Sequence, residues 1–236
     1  MNDNLRANPR VWTLGWLVMR RQAEAIRSLL AHPGVPLRGL GVLDFGCGTR
    51  PYEHWFREAG ATYSGADLDA RHEVAIRKDG SLQAADASFG MVASFQVLEH
   101  VWDVGRYLAE ANRVLKSPGW LLLSTHGSWF YHPHPGDYRR WTAEGLRREV
   151  EERGFRLVAM RAVVGPLAWT SVLRSYGFAH ACRRIPLVGG ALAALGALLY
   201  NVRAWLEDCI TPGQLTADNA CVYVALFERL PGGEKR

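Results

Sequence analysis

No two of the four cysteines, Cys47, Cys182, Cys209 and Cys221, stand in a C-x-x-C spacing. That removes a zinc site and a disulfide framework and fits a reducing, cytoplasmic setting. No run of Lys and Arg is present and the formal net charge is only +5, so no nucleic-acid partner is expected. No tyrosine has a lysine four residues later, which removes the Tyr-x-x-x-Lys pair of short-chain dehydrogenases. Nor does a small-residue cleavage site follow the apolar stretch at 11–18, so Pro9 to Leu30 reads as an amphipathic helix and not as a leader. What is present is a globular composition, 48% hydrophobic and 22% charged, in 236 residues. That length suits one α/β domain spanning 1–236, with a helical N-terminal extension at 1–36.

The chain is organised around Val42-Leu43-Asp44-Phe45-Gly46-Cys47-Gly48. A short apolar run ends in an acid and breaks into glycines before a helical segment, as a buried parallel strand does when it hands over to a ligand-binding turn. A dinucleotide fingerprint needs a third glycine at position 51, where Pro51 stands. Thr62 to Ala66 reads as a second strand closed by Asp67, about twenty residues beyond Gly48, the offset at which an acid meets ribose hydroxyls.

Downstream, Val74 to Arg77 is a weak third strand and Met91 to Phe95 a central one. Val104 to Leu115 is a helix terminated by Lys116-Ser117-Pro118-Gly119, and Trp120 to Thr125 is a fifth strand. Thr142 to Arg153 is a helix with a loose capping box, and Phe155 to Val164 and Cys221 to Glu228 form a closing antiparallel pair. The alternation predicts a Rossmann-like, seven-stranded, mostly parallel sheet with helices on both faces and a helical insertion before the last strand. That insertion, 166–213, is apolar, and Ile185 to Val202 carries no charge. Pro186, Gly189, Gly190 and Gly196 argue against a membrane span, leaving a cap, a homodimer contact or a membrane-interface element.

Together with Asp79-Gly80-Ser81-Leu82, Phe89 to His100 and Glu110 to Gly119, these motifs resemble the class I S-adenosylmethionine (SAM) methyltransferases of the "methyltransferase 11" type. The resemblance implies SAM as cofactor and S-adenosylhomocysteine as product. It sets Asp44, Gly46, Cys47 and Gly48 against the methionyl part and the ribose, Asp67 on the ribose hydroxyls and Leu68 on adenine. Asp79 and Gly80 stand at the adenine amino group, and Gln96 flanks the methionyl moiety. Two positions depart from the family: Arg50 replaces the third glycine of the first motif, and Gly90 stands where an acid is usual. An Asn-Pro-Pro-Tyr-like turn, expected for methylation of nucleobase amines, is replaced by Gln96-Val97-Leu98-Glu99.

The stretch Ser124 to Trp141, dense in His, Tyr and Trp, follows the fifth strand at the carboxyl edge of the sheet. Methyl transfer to a hydroxyl needs a base in line with the acceptor, and histidine suits that task. The expected catalytic residues are His132 or His134 as base, with Tyr138. His100, Trp129, Tyr131, Arg140 and Trp141 are expected on the acceptor. A metal held by His126, His132, His134 and Asp137 has no diagnostic spacing, and none is expected. The predicted activity is O-methylation of a small-molecule, saccharide or lipid-linked acceptor, in the cytoplasm or peripherally at a membrane. The competing expectation is a SAM-binding, catalytically degenerate scaffold subunit.

Overall fold

The computed structural model describes residues 6–69, 71–133 and 135–231. In chain order the elements are α1 (Trp16–Leu30), β1 (Gly41–Phe45), α2 (Glu53–Glu58), β2 (Thr62–Asp67), β3 (Val74–Ala75) and β4 (Phe89–Phe95). There follow α3 (Val104–Val114), β5 (Leu115–His126), α4 (Ala143–Glu151), β6 (Phe155–Val163), α5 (Pro166–Cys182), α6 (Gly189–Ile210), α7 (Gly213–Asp218) and β7 (Val222–Arg229). The strands form one seven-stranded sheet in the order β3-β2-β1-β4-β5-β7-β6. The first five pair in parallel and β7 runs antiparallel to both neighbours, so the expected Rossmann-like sheet is the one found.

Alternation along the strands divides the core. Val42, Met91 and Leu122 pack with Ile26 of α1, Phe56 of α2 and Val172 of α5 on one face. Leu43, Val92 and Leu123 pack with Leu108 of α3 and Leu146 of α4 on the other. Central strands buried on both sides read as unbroken apolar runs, which is why they were legible.

Several boundaries move. The first helix starts at Trp16, not Pro9, because Gly15 enters it with φ +75, and a Cβ there would lie 2.5 Å from the Tyr176 hydroxyl. The stretch from Lys116 to Gly119, expected as a terminator, belongs to β5, which carries on directly from α3. β3 is only two residues long, followed by an isolated bridge between Ile76 and Leu82. Thr142 does cap α4, accepting from the Gly145 N–H at 3.0 Å, but position 145 has no side chain to complete a box. Gly90 has a steric reason: a Cβ there would meet Leu40 Cδ1 at 2.2 Å, so an apolar side chain fills the place of the expected acid.

Candidate active site

At the carboxyl end of β1 the chain turns through Gly46 and Gly48 with φ +89 and +49. A Cβ on Gly46 would fall 2.4 Å from Val97 Cγ2, whereas nothing lies within 4 Å of the corresponding point on Gly48. The first glycine therefore lets the turn pass under the segment after β4, and the second leaves open space above the backbone.

Asp44 is buried beneath this turn. Its Oδ2 accepts a 2.6 Å hydrogen bond from the Tyr63 hydroxyl, while Oδ1 has no protein partner. Burial pushes its carboxyl up to about 7, against the pull of the Tyr63 hydrogen bond. A cation above Oδ1 would restore the charged form.

Asp67, at the end of β2, accepts from the Gly48 N–H at 2.7 Å and from the Leu68 N–H at 2.6 Å. Each carboxylate oxygen keeps a lone pair for a hydroxyl. Leu68 is 71% exposed, an apolar surface without protein cover. Gln96 has φ +57, donates from Nε2 to Ser124 Oγ at 3.1 Å, and keeps a buried Oε1 without a partner. Buried Cys47 packs its Sγ 3.4 Å from His72 Nδ1, and burial pushes its thiol up to about 12, so it stays neutral.

Asp79 lies on an exposed turn that Gly80 shapes with φ +84. Its carboxylate accepts from Ser81 and from Arg106, the latter at 2.8 Å. The unpartnered Asp44 oxygen, the opening over Gly48, the Asp67 carboxylate and exposed Leu68 fit a ligand with a cationic end, a hydroxylated ring and a flat apolar group, as SAM has.

Arg50 takes an unforeseen part. It adopts φ +55 and sends its guanidinium to Glu73 at 2.9 and 2.6 Å, while Glu73 Oε2 also accepts from the Gly65 N–H. That fork ties the segment after β2 back onto the sheet. Sequence gave no signal for it beyond the anomalous arginine.

The loop after β5, expected to meet an acceptor, forms the other side of the candidate site. His132 Nδ1 lies 3.0 Å from the Phe130 carbonyl and 3.2 Å from Asp137 Oδ2, both acceptors, so Nδ1 carries the proton and Nε2 is left to accept one. The Arg140 guanidinium beside Asp137 holds that carboxyl well below the usual range, against burial. His100 Nδ1 hydrogen-bonds the Gly136 carbonyl, and its ring meets that of His132 edge-on at 4.8 Å. Glu99, His100 and His132 each offer a ligand atom within 4.8 Å of the others.

Beneath them, buried Glu99 Oε1 stands 3.0 Å from His126 Nδ1, and the Thr125 hydroxyl donates to Oε2 at 2.9 Å. Burial works to raise Glu99, but His126, a backbone hydrogen bond and the Thr125 hydroxyl together outweigh it and the carboxyl stays below its ordinary value. Burial lowers His126 despite that carboxylate.

The geometry corrects three expected acceptor contacts. Trp129 is stacked on both faces, by His126 at 4.7 Å and by Trp169 at 4.8 Å, so neither face is available to a substrate ring. Trp141 is buried in the core. Arg140 uses every N–H on Asp137 and on the carbonyls of Trp129, Phe130 and Arg139, which makes it the staple of the loop and leaves no hand for substrate.

Tyr131 is 76% exposed, and Tyr138 leans edge-on against Trp102. His134 lies outside the described residues. Gln22 of α1, which donates to Ser124 Oγ at 3.2 Å, and Trp169 of α5 reach the site from distant elements and had no local signature.

Residues 18–160, more than half of the chain, match a family profile described as a methyltransferase domain. A probable S-adenosylmethionine-dependent methyltransferase of Mycobacterium tuberculosis is 31% identical over 173 residues, 70% of this chain, and the match spans 57% of that relative's length. A ubiquinone biosynthesis O-methyltransferase of Azorhizobium caulinodans is 31% identical over 38% of this chain and 42% of its own. Among solved structures, the Burkholderia thailandensis 1,6-didemethyltoxoflavin-N1-methyltransferase with bound S-adenosylhomocysteine shares the fold at TM-score 0.54. It is 18% identical, and the match covers 88% of this chain and 77% of that one.

Proposed function

The chain belongs to the class I SAM-dependent methyltransferases, with SAM as cofactor, and on that premise we propose that it methylates an oxygen of a small-molecule, sugar or lipid-linked acceptor with His132 as general base. When bound, SAM supplies a methyl group on a positively charged sulfur. Asp44 would hold its cationic methionyl end, Asp67 its ribose hydroxyls and Leu68 one face of adenine.

One observation carries the choice of base. His132 Nδ1 bonds the Phe130 carbonyl at 3.0 Å and lies 3.2 Å from Asp137 Oδ2, whose charge Arg140 fixes, so the ring is oriented and its Nε2 is left to take a hydroxyl proton. Carboxylate–histidine pairing of this kind favours the imidazolium that forms as the proton arrives. The occurrence of ubiquinone biosynthesis O-methyltransferases among the relatives supports oxygen as the acceptor atom.

The test is release of S-adenosylhomocysteine across a panel of hydroxyl and amine acceptors. Turnover on hydroxyl acceptors is expected, and His132→Ala should lower it about 100-fold or more at unchanged SAM affinity. Turnover confined to amines, or a His132→Ala enzyme as fast as the parent, would overturn the reading.

A further inference from the structure

The helical hairpin α5–α6 is packed the wrong way round for water. On α6 the side facing the protein is mostly small residues, with Gly189, Ala193, Gly196, Ala197 and Ala204 buried beside Asn201, whose amide donates to the Val11 and Thr13 carbonyls. A Cβ on Gly196 would fall 2.3 Å from the Phe178 ring, so the two helices approach closely. The large side chains Leu192, Leu195, Leu199, Val202, Leu206 and Ile210 point outward and are exposed. Their three- and four-residue spacing aligns them in one stripe along 22 residues of helix. At the tip between the helices Ile185 and Val188 are about half exposed and Leu187 is fully so. Small residues inside and large ones outside is the arrangement of helices that pack in an apolar surrounding.

Charge identifies that surrounding. No Asp or Glu occurs from Pro166 to Leu206, while Arg174, Arg183, Arg184 and Arg203 do. The next acids are committed, Glu207 to Arg203 at 2.8 Å and Asp208 to Arg21 at 2.8 Å. Among the described residues Arg174, Arg183 and Arg184 have no carboxylate within ion-pair distance. Arg183 and Arg184 stand exposed immediately before the apolar tip, and Trp205 is 43% exposed near the far end of the stripe.

No helix among the described residues is long and apolar enough to cross a membrane. A second copy of the chain would set this acid-free face against itself and oppose like charges. We propose that the outer face of α6 and the α5–α6 tip lie flat on an anionic lipid bilayer, the leucines at the acyl boundary and the arginines on the headgroups.

The face is separate from the cofactor turn, so the inference does not depend on the acceptor assigned above. The test is co-sedimentation of the full chain with vesicles of phosphatidylcholine alone and of phosphatidylcholine with phosphatidylglycerol, at low and high salt. Binding is expected to the anionic vesicles and to weaken with salt. An Arg183→Gln/Arg184→Gln variant should bind about 30-fold more weakly. A Leu195→Ser/Leu199→Ser variant should lose binding while its affinity for SAM, a check on folding, is unchanged.

Three results would overturn the proposal. One is no sedimentation with anionic vesicles, and another is equal sedimentation with neutral ones. The third is a lipid-independent dimer in light scattering that the leucine substitutions dissociate.

Discussion

The two halves of the site are built by different means. The half proposed for the cofactor is contiguous in sequence and rests on backbone: two glycine conformations, a strand-end acid, and a second acid held by the Gly48 amide. The half proposed for the acceptor is assembled from side chains of remote origin, with His132, Asp137 and Arg140 from one loop, Glu99 and His100 from the turn after β4, Gln22 from α1 and Trp169 from α5. Backbone turns tolerate little variation at few positions. A side-chain assembly tolerates variation in many places provided its network stays satisfied.

The sharpest way to separate the halves is to break one and read both. Arg140→Ala leaves the Asp137 carboxylate buried and without its cation, and is expected to cost about 3 kcal/mol in stability and to abolish acceptor turnover. SAM affinity by calorimetry should survive where the protein remains folded. Loss of SAM binding in the folded variant would show that the halves are coupled.

Gly46→Ala is the converse. Its Cβ would drive into Val97 at a left-handed φ, for about 2 kcal/mol of destabilisation in thermal melting and a large loss of SAM affinity.

Smaller and more discriminating is Asp44→Asn. In the folded protein the carboxyl sits near 7, above its ordinary value of 3.8, so it binds a proton that the unfolded chain has released. Its contribution to stability is therefore complete below 3.8 and is lost as pH rises through about 7. On the proposed contact between Asp44 and the cationic end of SAM, cofactor binding should run the other way and tighten over the same rise. Calorimetry and melting at about pH 6 and about pH 8 should show these opposed trends, and Asp44→Asn should flatten both while weakening SAM roughly tenfold. Parallel trends would remove Asp44 from the cofactor contact. The least effect belongs to Tyr131→Ala, whose ring is mostly in solvent. Its melting temperature should correspond to within about 0.5 kcal/mol of the parent, and a raised KM for acceptor at unchanged kcat would mark it as a contact.

The same division explains what could be read in advance. The placement of Asp44, Gly46, Gly48 and Asp67 was legible because it follows from strand ends and turn geometry, which are local. Trp129, Trp141 and Arg140 were misjudged because residue type marks an aromatic or a cation as available but does not say what covers it. Trp129 is covered on both faces, Trp141 sits in the core, and Arg140 is spent on the loop itself. The Asp137–His132 pairing was within reach, since both belong to one loop, whereas Gln22 and Trp169 come from helices far away in the chain. Gly90 was read as a lost acid because the pattern recorded only the missing carboxylate, and Leu40 fills the space.

The strand order has a consequence for how the molecule is made. β7 is the last strand in sequence but lies inside the sheet, between β5 and β6. During synthesis β1 to β5 can join in succession, and the α5–α6 hairpin can form from neighbouring residues. β6, which pairs with β7 alone, has no strand to bind until residues 222–229 have emerged. The parallel half of the sheet can thus be complete while β5 still presents an open edge, and the final insertion covers that edge and gives β6 its one partner at once. A chain stopped before residue 222 should accordingly be held by chaperones or aggregate, and the few residues that follow should restore it as a single cooperative step.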